Sequence, residues 1–162
     1  MKSVTCAVGL GSNLGDPKAH LASAVDALAQ LPDTELVACS PLYQSVAVGP
    51  EQPDYLNACA LLRTALAPLA LLDQLQAIEL AHKRERTQHW GPRTLDLDLL
   101  LYGDQTIDLP RLSVPHPYLC ERNFVLYPLH DIWPDATLPD GRTLASLITH
   151  CTMKGLSRLD VR

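Results

Sequence analysis

Arg93-Thr94-Leu95-Asp96-Leu97-Asp98-Leu99-Leu100-Leu101-Tyr102 decides the fold, because it reads as a buried strand carrying two carboxylates. Strand side chains alternate between faces, so Asp96 and Asp98 project together while Leu95, Leu97 and Leu99 project to the other side. Two like charges held side by side are costly to bury without a cation. Strand carboxylates with open positions around them suit Mg²⁺, which keeps several waters and gathers phosphate oxygens. A metal site for phosphoryl chemistry is therefore one reading. The other is a sheet-edge strand whose acidic face is solvated, or a pair neutralised by Arg93.

Upstream of this strand, alternating elements lead into it. Val4 to Leu10 is apolar and ends in glycine, and Asp16-Pro17 supplies an N-cap and a first-turn proline for a helix to about Leu31. Leu21, Ala24, Val25 and Leu28 give that helix an apolar face, and Pro32-Asp33 stops it. Glu35 to Tyr43 and Tyr55 to Leu66 read as two further strands, joined by a proline-bearing loop, Val48 to Pro53. Pro68 opens a second helix to about Arg84, with Leu71, Leu72, Leu75 and Ile78 as its core side, and the acidic strand follows. The order is βαββαβ, which predicts an α+β, ferredoxin-like core with its helices on one side of an antiparallel sheet. The remaining residues form a proline-rich C-terminal extension. Leu109 to Pro117 cannot be helix, whereas Arg122 to Leu129 and Thr143 to His150 are expected to turn helical.

One domain over 1–162 accommodates this set, since 162 residues at 47% hydrophobic leave room for one core only. No apolar run reaches the ~20 residues of a membrane helix, and the first residues lack the apolar core of a signal peptide, so a cytoplasmic protein is expected. Five widely spaced cysteines form no CxxC pair, against both a disulfide framework and a zinc site. A net charge of −5 argues against a nucleic-acid binder. Locally the balance reverses: Lys83, Arg84, Arg86 and Arg93 precede the acids with Glu85 alone to offset them. A basic cluster followed by a carboxylate pair fits a nucleoside triphosphate and its metal.

Three further motifs bear on chemistry. Gly9-Leu10-Gly11-Ser12-Asn13-Leu14-Gly15 lacks the spacing and the Gly-Lys-Ser/Thr ending of a phosphate loop, so its glycines read as a tight strand-to-helix turn. Gln76, Glu79, Lys83 and Arg86 fall on one helix face, either a solvated face with a Glu79–Lys83 pair or one edge of the basic site. Arg111, Ser113, His116 and Arg122 lie close together in sequence, His116 held between Pro115 and Pro117, and such a set can contact several phosphate oxygens. Phe124 is the chain's one phenylalanine; it reads as core packing, or as the ring a flat heterocycle would need.

With these motifs in order, the chain closely resembles the 6-hydroxymethyl-7,8-dihydropterin pyrophosphokinases of folate synthesis. The resemblance rests on Gly9 to Gly15, Gln52-Pro-Asp-Tyr-Leu-Asn57, Trp90-Gly-Pro-Arg-Thr-Leu-Asp-Leu-Asp98 and Val114-Pro-His-Pro117 followed by Arg122 and Phe124. It implies transfer of a diphosphate from ATP to the pterin hydroxymethyl group, with release of AMP. It also implies that Asp96 and Asp98 hold two Mg²⁺ ions, and that Gln76, Glu79, Arg84, Arg86, Trp90, Arg93, Arg111, Ser113, His116 and Arg122 line the ATP side. Ser45, Val46, Val48, Tyr55, Asn57 and Phe124 would form the pterin side, with Tyr55 and Phe124 sandwiching the ring. Asp96, Asp98, Arg84, Arg93 and His116 are the expected catalytic set, with Asp98 the candidate acceptor of the hydroxyl proton. The Thr87-Gln88-His89 and Gly49 to Gln52 loops are expected to close on ATP. ATP and a reduced pterin are the expected partners of a monomer. The rival readings are a Mg²⁺-dependent nucleotidyltransferase, attacking the α-phosphorus, and a noncatalytic pterin or nucleotide binder.

Overall fold

The structure, a computed structural model, describes residues 3–13, 16–45, 54–82, 95–117 and 119–159. Its first part follows the expected order: β1 (Val4–Ser12), α1 (Pro17–Ala29), β2 (Thr34–Cys39), β3 (Tyr43–Ser45), β4 (Tyr55–Thr64), α2 (Pro68–His82) and β5 (Asp96–Tyr102). After it come the hairpin β6 (Ile107–Leu109) and β7 (Leu112–Val114), a 3₁₀ turn (Leu119–Glu121), α3 (Asn123–Ile132), α4 (Leu144–Thr149) and β8 (Leu156–Arg158). Asp16 caps α1 as its sequence predicts, its Oδ1 accepting the Ala19 N–H at 3.3 Å with Pro17 in the first turn. Thr143 does the same for α4, accepting from the Ser146 N–H at 3.2 Å.

β1 lies between β4 and β5 and is antiparallel to both, while β2 and β3 pair with β4 on its far side and β8 adds outside β3. This order is compatible with the ferredoxin-like core. The expected strand from Glu35 to Tyr43 is divided in two. Pro41 has no N–H to give a ladder and fixes its own φ, so pairing lapses there. Ser40 bridges the gap: its N–H donates to the Cys59 carbonyl at 2.8 Å, and its hydroxyl accepts the Cys59 N–H at 2.9 Å.

Helices cover both faces of the sheet: the two of the βαββαβ core lie on one side, as expected, and those of the C-terminal extension on the other. Leu21, Ala24 and Leu28 of α1 and Leu71, Leu72, Leu75 and Ile78 of α2 pack with Cys6, Val8, Leu10, Ala60, Leu62, Leu97 and Leu99. On the opposite face Leu126 and Leu129 of α3 and Leu144 of α4 pack with Ala7, Cys59, Leu100 and Leu101. A bulge makes the second face possible. Ala7 opposes Leu101 and Val8 opposes Leu99, so Leu100 is the extra residue and two successive leucines enter the second core. Three-residue strands β6, β7 and β8 were not expected within the C-terminal extension.

Along α3, Asn123, Tyr127 and Asp131 recur every four residues and form one polar seam. Asn123 Nδ2 donates to the carbonyls of Thr152 and Lys154 at 2.9 and 3.0 Å, and the Tyr127 hydroxyl donates to the Cys151 carbonyl. Asp131 accepts from the Tyr43 hydroxyl of β3 and faces the Arg158 guanidinium of β8 at 3.9 Å. The seam fastens the C-terminal residues and β3 to α3.

Candidate functional site

Directly opposed residues of an antiparallel pair share a face, so register places the side chains. Asp96 opposes Gly11, Gly11 opposes Asn57 and Asn57 opposes Tyr43, giving one row across four strands. The adjacent row runs from Asp98 through Gly9 to Cys59. Cys59 belongs to the core beneath α3, so the carboxylates and Asn57 lie on the α3 side of the sheet. Asp96 and Asp98 are half-buried while their neighbours Leu95, Leu97 and Leu99 are buried, as the alternation predicts.

Gly9 and Gly11 are strand residues, which corrects the reading of a tight turn, since β1 continues to Ser12. They form a floor without side chains between the acids and β4. A Cβ on Gly11 would stand 3.3 Å from Asn57 Nδ2 and 4.0 Å from Tyr55 Cδ1, and one on Gly9 would stand 3.4 Å from Leu100. Asn57 is itself held, its Oδ1 accepting the Ser45 hydroxyl at 2.6 Å in a buried contact. Ser45 opposes Tyr55, so the three expected pterin-side residues of β3 and β4 are adjacent on one face.

On the same side of the sheet lie His116, Arg122 and, in the first turn of α3, Phe124. The His116 N–H donates to the Leu100 carbonyl at 3.1 Å, anchoring the Val114-to-Pro117 turn, whose Val114–Pro115 peptide is cis, on the bulge beside the acids. Burial holds the His116 pKa below the ordinary imidazole value; the charge of Asp98 opposes this and the Arg122 guanidinium adds to it. His116 thus lies within electrostatic reach of both. Arg122 stacks over the Phe124 ring at 5.5 Å, and that half-buried ring belongs to neither hydrophobic core cluster.

Other expected residues gather on the α2 side. Glu79 Oε2 accepts the Leu97 N–H at 2.8 Å, so a third carboxylate meets β5 between Asp96 and Asp98. Arg111, in the β6–β7 turn, donates from Nη2 to Gln76 Oε1 at 3.1 Å and to Asp73 Oδ1 at 2.6 Å. Asp73 had not been singled out; its place one turn before Gln76 on α2 was the available signal. Ser113 is exposed between buried Leu112 and Val114. Two groups of residues therefore bracket β5, one on the α3 side and one on α2 and the hairpin. Arg84, Arg86, Trp90, Arg93, Val46 and Val48 lie outside the described residues, as do both loops expected to close.

Metal fit rests on donor chemistry. Asp96 and Asp98 offer hard oxygens from one strand face, and among the described residues no group of three or more His, Cys, Asp or Glu could hold a metal ion. Such a pair fits an ion that takes its remaining ligands from water and phosphate, as Mg²⁺ does, and does not fit zinc.

The fold and the site define an α+β domain that gathers a carboxylate pair, a histidine and arginines around one sheet strand. A family model, 7,8-dihydro-6-hydroxymethylpterin-pyrophosphokinase (HPPK), matches residues 7–134, and this chain belongs to that family. It is 56% identical over 153 residues to the 2-amino-4-hydroxy-6-hydroxymethyldihydropteridine pyrophosphokinase of Pseudomonas aeruginosa, covering 94% of each chain. The enzyme of the same name from Haemophilus influenzae is 46% identical over 146 residues, covering 90% of this chain and 91% of that one. Among solved structures, wild-type Plasmodium falciparum HPPK-DHPS with SDX-DHP is similar at a TM-score of 0.75 and 15% identity, covering 98% of this chain and 47% of that chain. The present chain spans about half the length of that one, and at this identity the likeness shows the fold. Among the described residues no helix is long and apolar enough to cross a membrane.

Proposed function

We propose that this chain transfers the terminal diphosphate of ATP to the hydroxymethyl group of 6-hydroxymethyl-7,8-dihydropterin, releasing AMP, as a step of folate synthesis. The observation that carries the reading is the half-buried pair Asp96 and Asp98 on one face of β5, beside His116 and Arg122, in a chain of this family. Asp96 and Asp98 would hold Mg²⁺, two ions by the family resemblance. When bound, the metal neutralises triphosphate charge and favours in-line attack on the β-phosphorus.

The chain's own residues supply the rest. Arg111 and Arg122 carry permanent charge in planar forks suited to phosphate oxygens, and His116 and Ser113 add hydrogen bonds. Asn57, fixed by Ser45, presents its amide to the polar edge of the pterin, and Tyr55 and Phe124 take its two faces. Arg84, Arg86, Trp90 and Arg93 complete the ATP side, and Val46 and Val48 the pterin side. Asp98 is the candidate acceptor of the hydroxyl proton, and the protein acts as a cytoplasmic, single-domain monomer.

Incubation with ATP, Mg²⁺ and the hydroxymethyl pterin tests this reading through the nucleotide product. AMP is expected. Pyrophosphate would indicate a nucleotidyltransferase, and binding without turnover a noncatalytic binder. Asp96→Ala and Asp98→Ala are each expected to lower kcat by roughly 10²–10⁴-fold with an unchanged circular dichroism spectrum. Near-normal rates in either variant remove the metal-ligand role.

A further inference from the structure

Arg111 reaches the site from the turn of a hairpin whose strands are three residues each, so little main-chain pairing holds it. A long arginine side chain on such a turn loses much rotamer freedom when it binds an anion. Here part of that freedom is already removed. Both fixing contacts use the same nitrogen, Nη2, shared between Asp73 Oδ1 at 2.6 Å and Gln76 Oε1 at 3.1 Å. Among the described residues Nε and Nη1 have no hydrogen-bond partner. One corner of the guanidinium is therefore tied to α2, while Nε and Nη1, which point to different sides of the group, remain for separate hydrogen bonds.

We propose that Asp73 is a positioning residue for the triphosphate: it ties Arg111 to α2 through Nη2 and leaves Nε and Nη1 each to donate a separate hydrogen bond to a phosphate oxygen. The proposal rests on the reading that Arg111 contacts ATP. Stability does not account for the pair. With the two side chains 48% and 60% exposed, such a bridge contributes little to folding. Its effect falls on ligand binding, where a preset guanidinium loses less entropy than a mobile one.

Steady-state kinetics on the full chain test this, with KM measured separately for ATP and for the pterin. Asp73→Ala is expected to raise the KM for ATP about five- to tenfold, leave the KM for pterin within about twofold and leave Tm unchanged. Asp73→Asn keeps an acceptor oxygen at the same place and is expected within about twofold of the parent in both constants. In an Arg111→Ala background, Asp73→Ala is expected to add nothing. If Arg111→Ala weakens ATP binding but Asp73→Ala does not, the positioning role is wrong while the ATP-site reading stands. An Asp73→Asn loss equal to that of Asp73→Ala also overturns it. If Arg111→Ala itself leaves ATP binding unchanged, the reading beneath the proposal fails.

Discussion

Tyr43→Phe isolates the bond that ties β3 to α3. Tyr43 is 3% exposed and its hydroxyl donates to Asp131, which also faces Arg158. The phenylalanine keeps the buried ring, so the change removes a hydrogen bond to a charged acceptor and almost no apolar burial. Such bonds contribute about 1.5–3 kcal/mol. The Asp131 side chain keeps 24% exposure and its arginine, which places the expected loss at the lower end, about 1.5–2 kcal/mol at pH 7. For a chain of this length that lowers Tm by roughly 3–8 °C. Alkaline pH supplies an independent signature. Burial, and then the bond to Asp131, push the Tyr43 phenol up to about 12, with Arg158 opposing; an unfolded tyrosine titrates near ~10. The fold therefore favours the protonated phenol. Its stabilising contribution is complete below pH ~10 and is lost as pH rises towards about 12. Urea denaturation followed by circular dichroism, at pH 7 and across that window, measures both effects. The Phe variant should lose stability less steeply with pH than the parent, with an unchanged m-value. A loss below about 0.5 kcal/mol at pH 7, or identical alkaline slopes, refutes the assignment.

Gly11→Ala places a Cβ 3.3 Å from Asn57 Nδ2, so the amide must give by a few tenths of an ångström; the KM for pterin should rise about tenfold with that for ATP within about twofold. Unchanged fluorescence titration by the pterin would count against Asn57 as its reader. Glu79→Ala removes the acceptor of the Leu97 N–H; amide exchange at Leu97 should accelerate and kcat fall about tenfold, whereas Glu79→Gln, which keeps an acceptor, should restore most of both. Equal exchange rates in the two variants would show that another group holds that N–H.

Elements defined by local signals were legible in the sequence. Asp16-Pro17 marked α1, the Leu71/Leu75/Ile78 spacing marked the buried face of α2, and the alternation from Leu95 to Leu99 marked β5 and the side of its acids. Long-range features were not. The division at Ser40-Pro41 depends on a side chain completing the ladder at Cys59, although Pro41 itself was a warning. The second helical layer was hinted at by Leu100-Leu101, two consecutive apolar residues that a regular strand would send to opposite faces. Strands of three residues, as in β6, β7 and β8, carry too little pattern to read. In the site, the acids were visible because charge in an apolar strand is anomalous. Asp73 looks like any surface acid until the hairpin brings Arg111 to it, and Gly9 and Gly11 were misplaced because their use is set by Asn57 and Leu100 across the sheet.

β5 combines two demands that a regular strand could not meet together. At its N-terminal end it pairs with β1 on one side and presents an outer edge, and edges invite pairing with another strand. The carboxylates of Asp96 and Asp98 oppose such pairing, and Glu79 occupies the Leu97 N–H, so this stretch stays available to a ligand. Beyond Asp98 the strand must instead build core on both faces. The bulge at Leu100 makes the change, sending Leu100 and Leu101 beneath α3 and leaving the Leu100 carbonyl to receive the His116 N–H. One irregularity thus closes the second core and sets the histidine beside the carboxylates. His116 is consequently placed by a buried feature of the sheet, and its position relative to Asp98 is tied to the packing of Leu100 rather than to the prolines of its own turn alone.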